Sequence, residues 1–180
     1  MNIAVYLGSN HGNSPIYDQA ACDLGSWIGL QHHTLVYGGA GVGTMKTLAD
    51  HVKAANGRVI GVMPKFMIAQ GKGYDSLDEQ YLTDTMSQRK SKMIELADAF
   101  IAMPGGPGTL EEIAEVISLV RLKQKDAVCI LLNLNGYYDC LKQQFEVMIS
   151  SGFYQRSDYE QIHFADSVKE IELILNRRAD

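Results

Sequence analysis

Ala99-Phe100-Ile101-Ala102-Met103-Pro104-Gly105-Gly106-Pro107-Gly108-Thr109-Leu110-Glu111-Glu112 is the stretch on which the fold turns. Its first five residues are apolar without alternation, the pattern of a strand covered on both faces. Glycines and prolines then break the chain, and Leu110–Arg121 continues with apolar residues at helical spacing. Working outward, the same strand-then-helix order recurs. Further strands are expected at Ile3–Leu7, Thr34–Tyr37, Val59–Met63 and Val128–Leu132. Helices are expected near Ile16–Leu30, Thr44–Ala55, Ser87–Ala97 and Tyr138–Ser150, with a last one from about Ser167 to Asn176. This repetition implies a parallel sheet with helices on both faces. The expected fold is therefore α/β, one three-layer Rossmann-like domain over residues 1–180. Residues Pro64–Gln80, with Lys65, Gly71, Lys72, Gly73 and Asp75, break the rhythm and read as a surface loop or flap.

Composition narrows the function classes. Hydrophobic residues are 46% and charged residues 21% of the 180, which excludes a disordered chain. Sixteen Lys and Arg against 21 Asp and Glu give a net charge of −5. That balance supports neither a nucleic-acid surface nor a membrane surface, and it leaves room for a local basic pocket. No apolar run approaches the roughly 20 residues of a membrane helix. Met1–Gly8 lacks a basic region and reads as a first strand rather than a signal peptide. Cys22, Cys129 and Cys140 fit no motif and read as buried thiols of a reducing compartment, so a cytoplasmic location is expected.

In a doubly wound sheet ligands bind outside the carboxyl ends of the strands. Three glycine turns fall there: Gly8-Ser9-Asn10, Gly38-Gly39-Ala40-Gly41-Val42-Gly43-Thr44, and Pro104-Gly105-Gly106-Pro107-Gly108-Thr109. Glycine lets backbone N–H groups approach an anion closely, and a following helix N-terminus adds partial positive charge. The alternative is that these glycines only permit tight turns. The dinucleotide fingerprint fails, because position 44 is Thr and no acidic residue ends Val59–Met63. A P-loop fails too, since Thr44 and Thr109 stand where Lys is required. A mononucleotide or sugar phosphate fits better than hydride transfer or ATP hydrolysis.

Arg89 and Lys90 open the helix before Ala99, and Glu112 falls in the first turn of the helix after Met103. An Arg fork suits a phosphate or a leaving group gathering negative charge. A carboxylate beside it could position water or stabilise an oxocarbenium-like sugar. Against this, Thr109-Leu110-Glu111-Glu112 has the spacing of a capping box, in which Glu112 merely bonds the N-cap amide. Arg89 and Lys90 could equally be a solvated helix face. The histidines, His11, His32, His33, His51 and His163, show no metal-ligand spacing and read as structural or surface residues. Met45, Met63, Met93 and Met103 read as core filling, with Met86 a possible exception because it precedes Arg89.

The motif Pro-Gly-Gly-x-Gly-Thr-x-x-Glu at Pro104–Glu112, with Arg89-Lys90 on the preceding helix, resembles the LOG (Lonely Guy) family of cytokinin riboside 5′-monophosphate phosphoribohydrolases. The likeness extends through Gly8-Ser9, Val36–Gly39, Val59–Pro64 and Asn135–Tyr138. It implies hydrolysis of a purine nucleoside 5′-monophosphate to free base and ribose 5-phosphate, with no metal or organic cofactor. On it, Arg89 and Glu112 become the catalytic pair. Gly8, Ser9, Gly38, Gly39, Met86, Lys90, Gly105, Gly106, Gly108 and Thr109 become substrate-binding residues. Members are often labelled lysine decarboxylases, yet nothing marks a Lys for pyridoxal phosphate here. Short LOG-type proteins are dimers, and Ile113, Val116, Ile117 and Val120 offer apolar surface for a homodimer.

Two departures stand out. The family's Tyr-Gly-Gly-Gly-x-x-Gly-Leu-Met-Gly is Tyr37-Gly38-Gly39-Ala40-Gly41-Val42-Gly43-Thr44-Met45-Lys46 here, and Thr44 and Lys46 alter the polarity near the base or its N6 substituent. Pro107 removes one amide donor from the phosphate turn. A second hypothesis is a carrier of a phosphorylated cofactor, similar to molybdenum-cofactor carriers that share the glycine turns. A carrier has no need of Glu112.

Overall fold

The computed structural model describes residues 1–179; Asp180, the end of the expected domain, lies outside the described residues. The chain runs β1 (Asn2–Tyr6), α1 (Pro15–Leu30), β2 (Thr34–Tyr37), α2 (Gly43–Ala54), β3 (Arg58–Pro64), α3 (Lys65–Ala69), β4 (Glu79–Thr83) and α4 (Met86–Leu96). It continues β5 (Ala99–Ala102), α5 (Pro107–Arg121), β6 (Val128–Leu132), α6 (Asp139–Ser150), α7 (Arg156–Tyr159), β7 (Ile162–Ala165) and α8 (Val168–Ala179). The strands form one sheet in the order β4-β3-β2-β1-β5-β6-β7, and every pairing between these strands is parallel.

The central strands are apolar on both sides because both are covered. Leu24 and Ile28 of α1, Leu48 and Val52 of α2, and Ile171 and Leu175 of α8 pack with Ile3, Val5 and Leu35 on one face. Met93 of α4, Ile113 and Val116 of α5, and Phe145 of α6 pack with Ala4, Tyr6 and Phe100 on the other. The three-layer expectation is met. β1 lies between β2 and β5 in register, with Ile3 opposite both Leu35 and Ala99. Chain order therefore reverses between β1 and β5, and the site lies there.

Several expectations need correction. Residues Pro64–Gln80 are not irregular throughout, since they hold α3 and the start of β4. β4 and β7 were not expected as strands: they are the two edges, and β4 alternates half-buried with exposed positions instead of reading as an apolar run. Of the thiols, Cys129 is buried in β6, Cys22 is partly buried and Cys140 is exposed on α6. Ile113, Val116 and Ile117 are core side chains of the chain itself, so they offer no surface to a second copy. Among the described residues no helix is long and apolar enough to cross a membrane.

Candidate active site

A cleft of about 830 Å³ opens at the carboxyl ends of the strands, over the point where β1 meets β5. Its floor is two turns in close contact. The Gly8 N–H donates to the Pro104 carbonyl at 3.3 Å. A Cβ added at Gly105 would collide with the Thr109 hydroxyl and come within 2.8 Å of the Gly8 nitrogen. Gly43, at φ +53°, heads α2 directly against the Ser9 carbonyl, where a Cβ would also collide. Thr44 locks this contact by donating its hydroxyl to the Gly8 carbonyl at 2.7 Å.

Gly106 and Gly108 are different. Nothing lies within 4 Å of a Cβ built on either one, so packing does not demand glycine there. Both sit at the head of α5, where Pro107 occupies the first position with no N–H to lose. The first intrahelical bond runs from Leu110 N–H to the Gly106 carbonyl at 3.3 Å. The amides of Gly108 and Thr109 precede that ladder and have no carbonyl four residues back inside the helix. Open space over such donors suits an anion.

The turn is braced from β6. Asn135 and Gly136 take left-handed φ values of 50° and 74° and deliver two tyrosines. The Tyr137 hydroxyl donates to the Gly105 carbonyl at 2.6 Å, and the Tyr138 hydroxyl to the Met103 carbonyl at 2.7 Å.

Arg89 and Glu112 meet as an ion pair on the cleft wall. Arg89 Nη1 donates to Glu112 Oε1 at 2.6 Å, with side-chain exposures of only 10% and 9%. Arg89 Nε donates to the Val62 carbonyl at 3.1 Å, and its Nη2 faces Gly38, where a Cβ would collide with it. The guanidinium is thus held from three sides. Burial raises the Glu112 carboxyl above the ordinary carboxylate range, and Arg89 beside it offsets part of that rise.

The capping-box reading of Glu112 does not hold. α5 starts at Pro107 with Gly106 as its cap, so Thr109 lies inside the helix and Glu112 is past the first turn, turned to Arg89. A Thr-x-x-Gln cap does occur on α4. Thr85 accepts from the Gln88 N–H at 3.2 Å, and the Gln88 side chain accepts from the Asp84 N–H at 2.9 Å. Arg89 follows directly, so this cap sets where it enters the cleft.

Gly8, Ser9, Gly38, Met86, Arg89, Gly105, Gly106, Gly108, Thr109 and Glu112 all line the cleft. Gly39 and Lys90 are not on its wall. Gly39, at φ +73°, packs against Gly61, while Lys90 pairs with Glu111 at 2.7 Å and Glu115 at 3.0 Å. Lys46 is off the cleft wall, paired with Asp50 on the surface, while Thr44 lines the cleft with its hydroxyl tied to the Gly8 carbonyl. Tyr6, His11, Tyr17, Lys72 and Tyr137 also line the cleft and were not expected there. Only the position of His11, three residues past Gly8, hinted at it. Among the described residues no three His, Cys, Asp or Glu side chains group as a metal site.

Residues 45–173 match the family described as "Possible lysine decarboxylase". A cytokinin riboside 5′-monophosphate phosphoribohydrolase of Arabidopsis thaliana is 37% identical over 94% of this chain and 79% of its own. A "Probable cytokinin riboside 5′-monophosphate phosphoribohydrolase" of Oryza sativa subsp. japonica is 38% identical over 94% of this chain and 69% of its own. The chain belongs to the LOG family. Among solved structures, the molybdenum cofactor binding protein of Rippkaea orientalis superposes with a TM-score of 0.75 at 26% identity, covering 99% of this chain and 97% of that one. The molybdenum cofactor carrier protein of Chlamydomonas reinhardtii, with a TM-score of 0.71 at 23% identity over 98% and 96%, shares the fold. The Arg89–Glu112 ion pair and the open head of α5 thus lie in one cleft of this chain.

Proposed function

We propose that this LOG protein hydrolyses the N-glycosidic bond of purine nucleoside 5′-monophosphates, AMP-like or cytokinin, releasing free base and ribose 5-phosphate. The observation that carries this is the buried Glu112 carboxylate, held by Arg89, on the wall of a cleft whose floor is an open amide cradle. The 5′-phosphate occupies the cradle over Gly106 and Gly108, beside Ser9. Water adds its oxygen to C1′ as the C1′–N bond breaks, and the bond's electron pair leaves with the base. Glu112 orients that water, takes one of its protons and stabilises the cationic sugar; the proton finally passes to the departing nitrogen. Arg89 holds Glu112 and faces the charge that gathers on the base. No metal or organic cofactor takes part.

Residues 1–180 act as one nucleotide-binding unit in the cytoplasm. The protein works as a homodimer at least, with exposed Met86 and Leu110 beside the cleft as the apolar surface available to a second copy. The competing role is a carrier of a phosphorylated cofactor, which the likeness to a cofactor-binding structure favours and the Arg89–Glu112 pair does not. Incubating the purified protein with a panel of nucleoside 5′-monophosphates, and with the matching nucleosides, tests both. Base release from the phosphates alone is expected. Equal cleavage of both sets would remove the phosphate cradle, and tight binding without cleavage would install the carrier.

A further inference from the structure

The cleft wall is short of positive charge where the phosphate belongs. Arg89 is bonded to Glu112, and Lys90 lies off the wall, tied to Glu111 and Glu115. The other basic side chains on the wall are Lys72 and His11. The Lys72 carbonyl accepts from the Gly41 N–H at 2.9 Å, which seats that residue over the second glycine turn. His11 stands at the end of the Gly8-Ser9-Asn10 turn, which packs against Gly43 and Thr44 at the head of α2.

The histidine is held in place. Its Nδ1 lies 2.8 and 2.9 Å from the two oxygens of Asp18, and Thr47 donates its hydroxyl to the same carboxylate at 3.1 Å. A carboxylate only accepts, so Nδ1 carries a proton and Nε2 is turned to the opposite edge of the ring. Among the described residues Nε2 has no hydrogen-bond partner, although the side chain is 62% exposed and lines the cleft. Contacts then link this rim to the cradle. Gly12 lies against the Tyr17 ring, Tyr17 meets Tyr137 edge to face at 6.1 Å, and Tyr137 bonds the Gly105 carbonyl.

We infer that His11 is a phosphate-binding residue of this cleft, donating from Nε2 to the 5′-phosphate, and that Asp18 is the positioning residue that aims it. The assignment rests on the nucleotide reading of the cleft. Asp18 and the phosphate then lie on the two nitrogens of one ring. It supplies the side-chain donor that Arg89, held by Glu112, cannot, and the site reads the phosphate rather than the base through it.

Calorimetric binding of AMP, ribose 5-phosphate and adenosine to the full-length protein and its variants tests this without requiring turnover. In His11→Ala the Kd for AMP and for ribose 5-phosphate is expected to rise about 10-fold, the scale of one charge-assisted hydrogen bond, with that for adenosine unchanged. Asp18→Asn moves the same two ligands in the same direction by less, and in turnover the loss falls chiefly on KM. His11→Gln, which retains a donor without charge, falls between. An unchanged AMP affinity in His11→Ala, or an equal shift for AMP and adenosine, would overturn the assignment. Wild-type protein that binds AMP through His11 but does not cleave it removes the hydrolase and leaves the assignment standing. Wild-type protein that binds none of the three ligands overturns both.

Discussion

Glu112 is buried with its charge answered by one guanidinium, and removing either partner strands the other. Glu112→Gln should lower turnover by about 10²–10⁴-fold, because an amide can hold water but cannot take its proton. Glu112→Ala should in addition destabilise the protein by about 3–5 kcal/mol in urea unfolding, since Arg89 stays buried with only the Val62 carbonyl and no counter-charge. Replacing both, as Arg89→Met with Glu112→Leu, should recover most of that stability and no activity. A Gln variant with normal base release would take Glu112 out of the chemistry. The raised carboxyl has a second consequence. In the proposed reaction Glu112 acts as the carboxylate, so the acid limb of kcat/KM should lie above the ordinary Glu value of about 4.3. The folded state also holds this proton to higher pH than the unfolded one. The contribution of Glu112 to stability is therefore largest below the unfolded value and falls as pH rises through the folded one. An acid limb at or below the ordinary Glu range would show that burial does not govern this group. The pairing itself was only half legible. Thr109 and Glu112 do have capping-box spacing, but Pro107 at the first helical position moves the start back, and that proline was the signal to weigh.

The three turns contain glycines of two kinds, and substitution separates them. Gly105→Ala should cost stability and binding together, because its Cβ meets the backbone of Gly8. Gly108→Ala meets nothing and replaces a poor helix former near the start of α5. Its Tm should hold or rise, by up to about 1 kcal/mol of stability, while AMP affinity falls as the methyl enters the cradle. A Gly108→Ala protein that binds AMP as well as the wild type would show that the phosphate does not sit over the head of α5. Central strands were legible because β1, β2, β3, β5 and β6 are apolar on both faces. Edges were not. Glu79-Gln80-Tyr81-Leu82-Thr83 has solvent on one side, and its polar residues look like a continuation of the preceding loop. β7, Ile162–Ala165, is as long as β2 and β5, but His163 interrupts its apolar run, so it does not read as a covered strand. The Tyr137 brace and the His11–Asp18 contact were invisible for another reason: each joins residues by tertiary contact, where periodicity carries no information.

At the scale of the molecule, apolar residues in β1, β2, β3, β5 and β6 made a parallel sheet readable, but their order in it was not. That order decides the cleft, since only the placement of β1 between β2 and β5 brings Ser9 to the head of α5. Light scattering at micromolar concentration should return the mass of a dimer or larger, and a fully active monomer would overturn that assembly. The placement of β1 also governs how the chain comes off the ribosome. Its first neighbour, β2, emerges early, while Ala99–Ala102 emerges only after α4. Until then one backbone edge of β1, with Ile3, Ala4, Val5 and Tyr6 beside it, stays unpaired and ready to add a strand from another nascent chain. Translation arrested just before Ala99 should therefore yield aggregating, chaperone-bound product. Emergence of Ala99–Ala102 closes that edge, but the turn at Gly105 gains its Tyr137 brace only once β6 has followed, so the cleft is assembled from the middle of the chain outward.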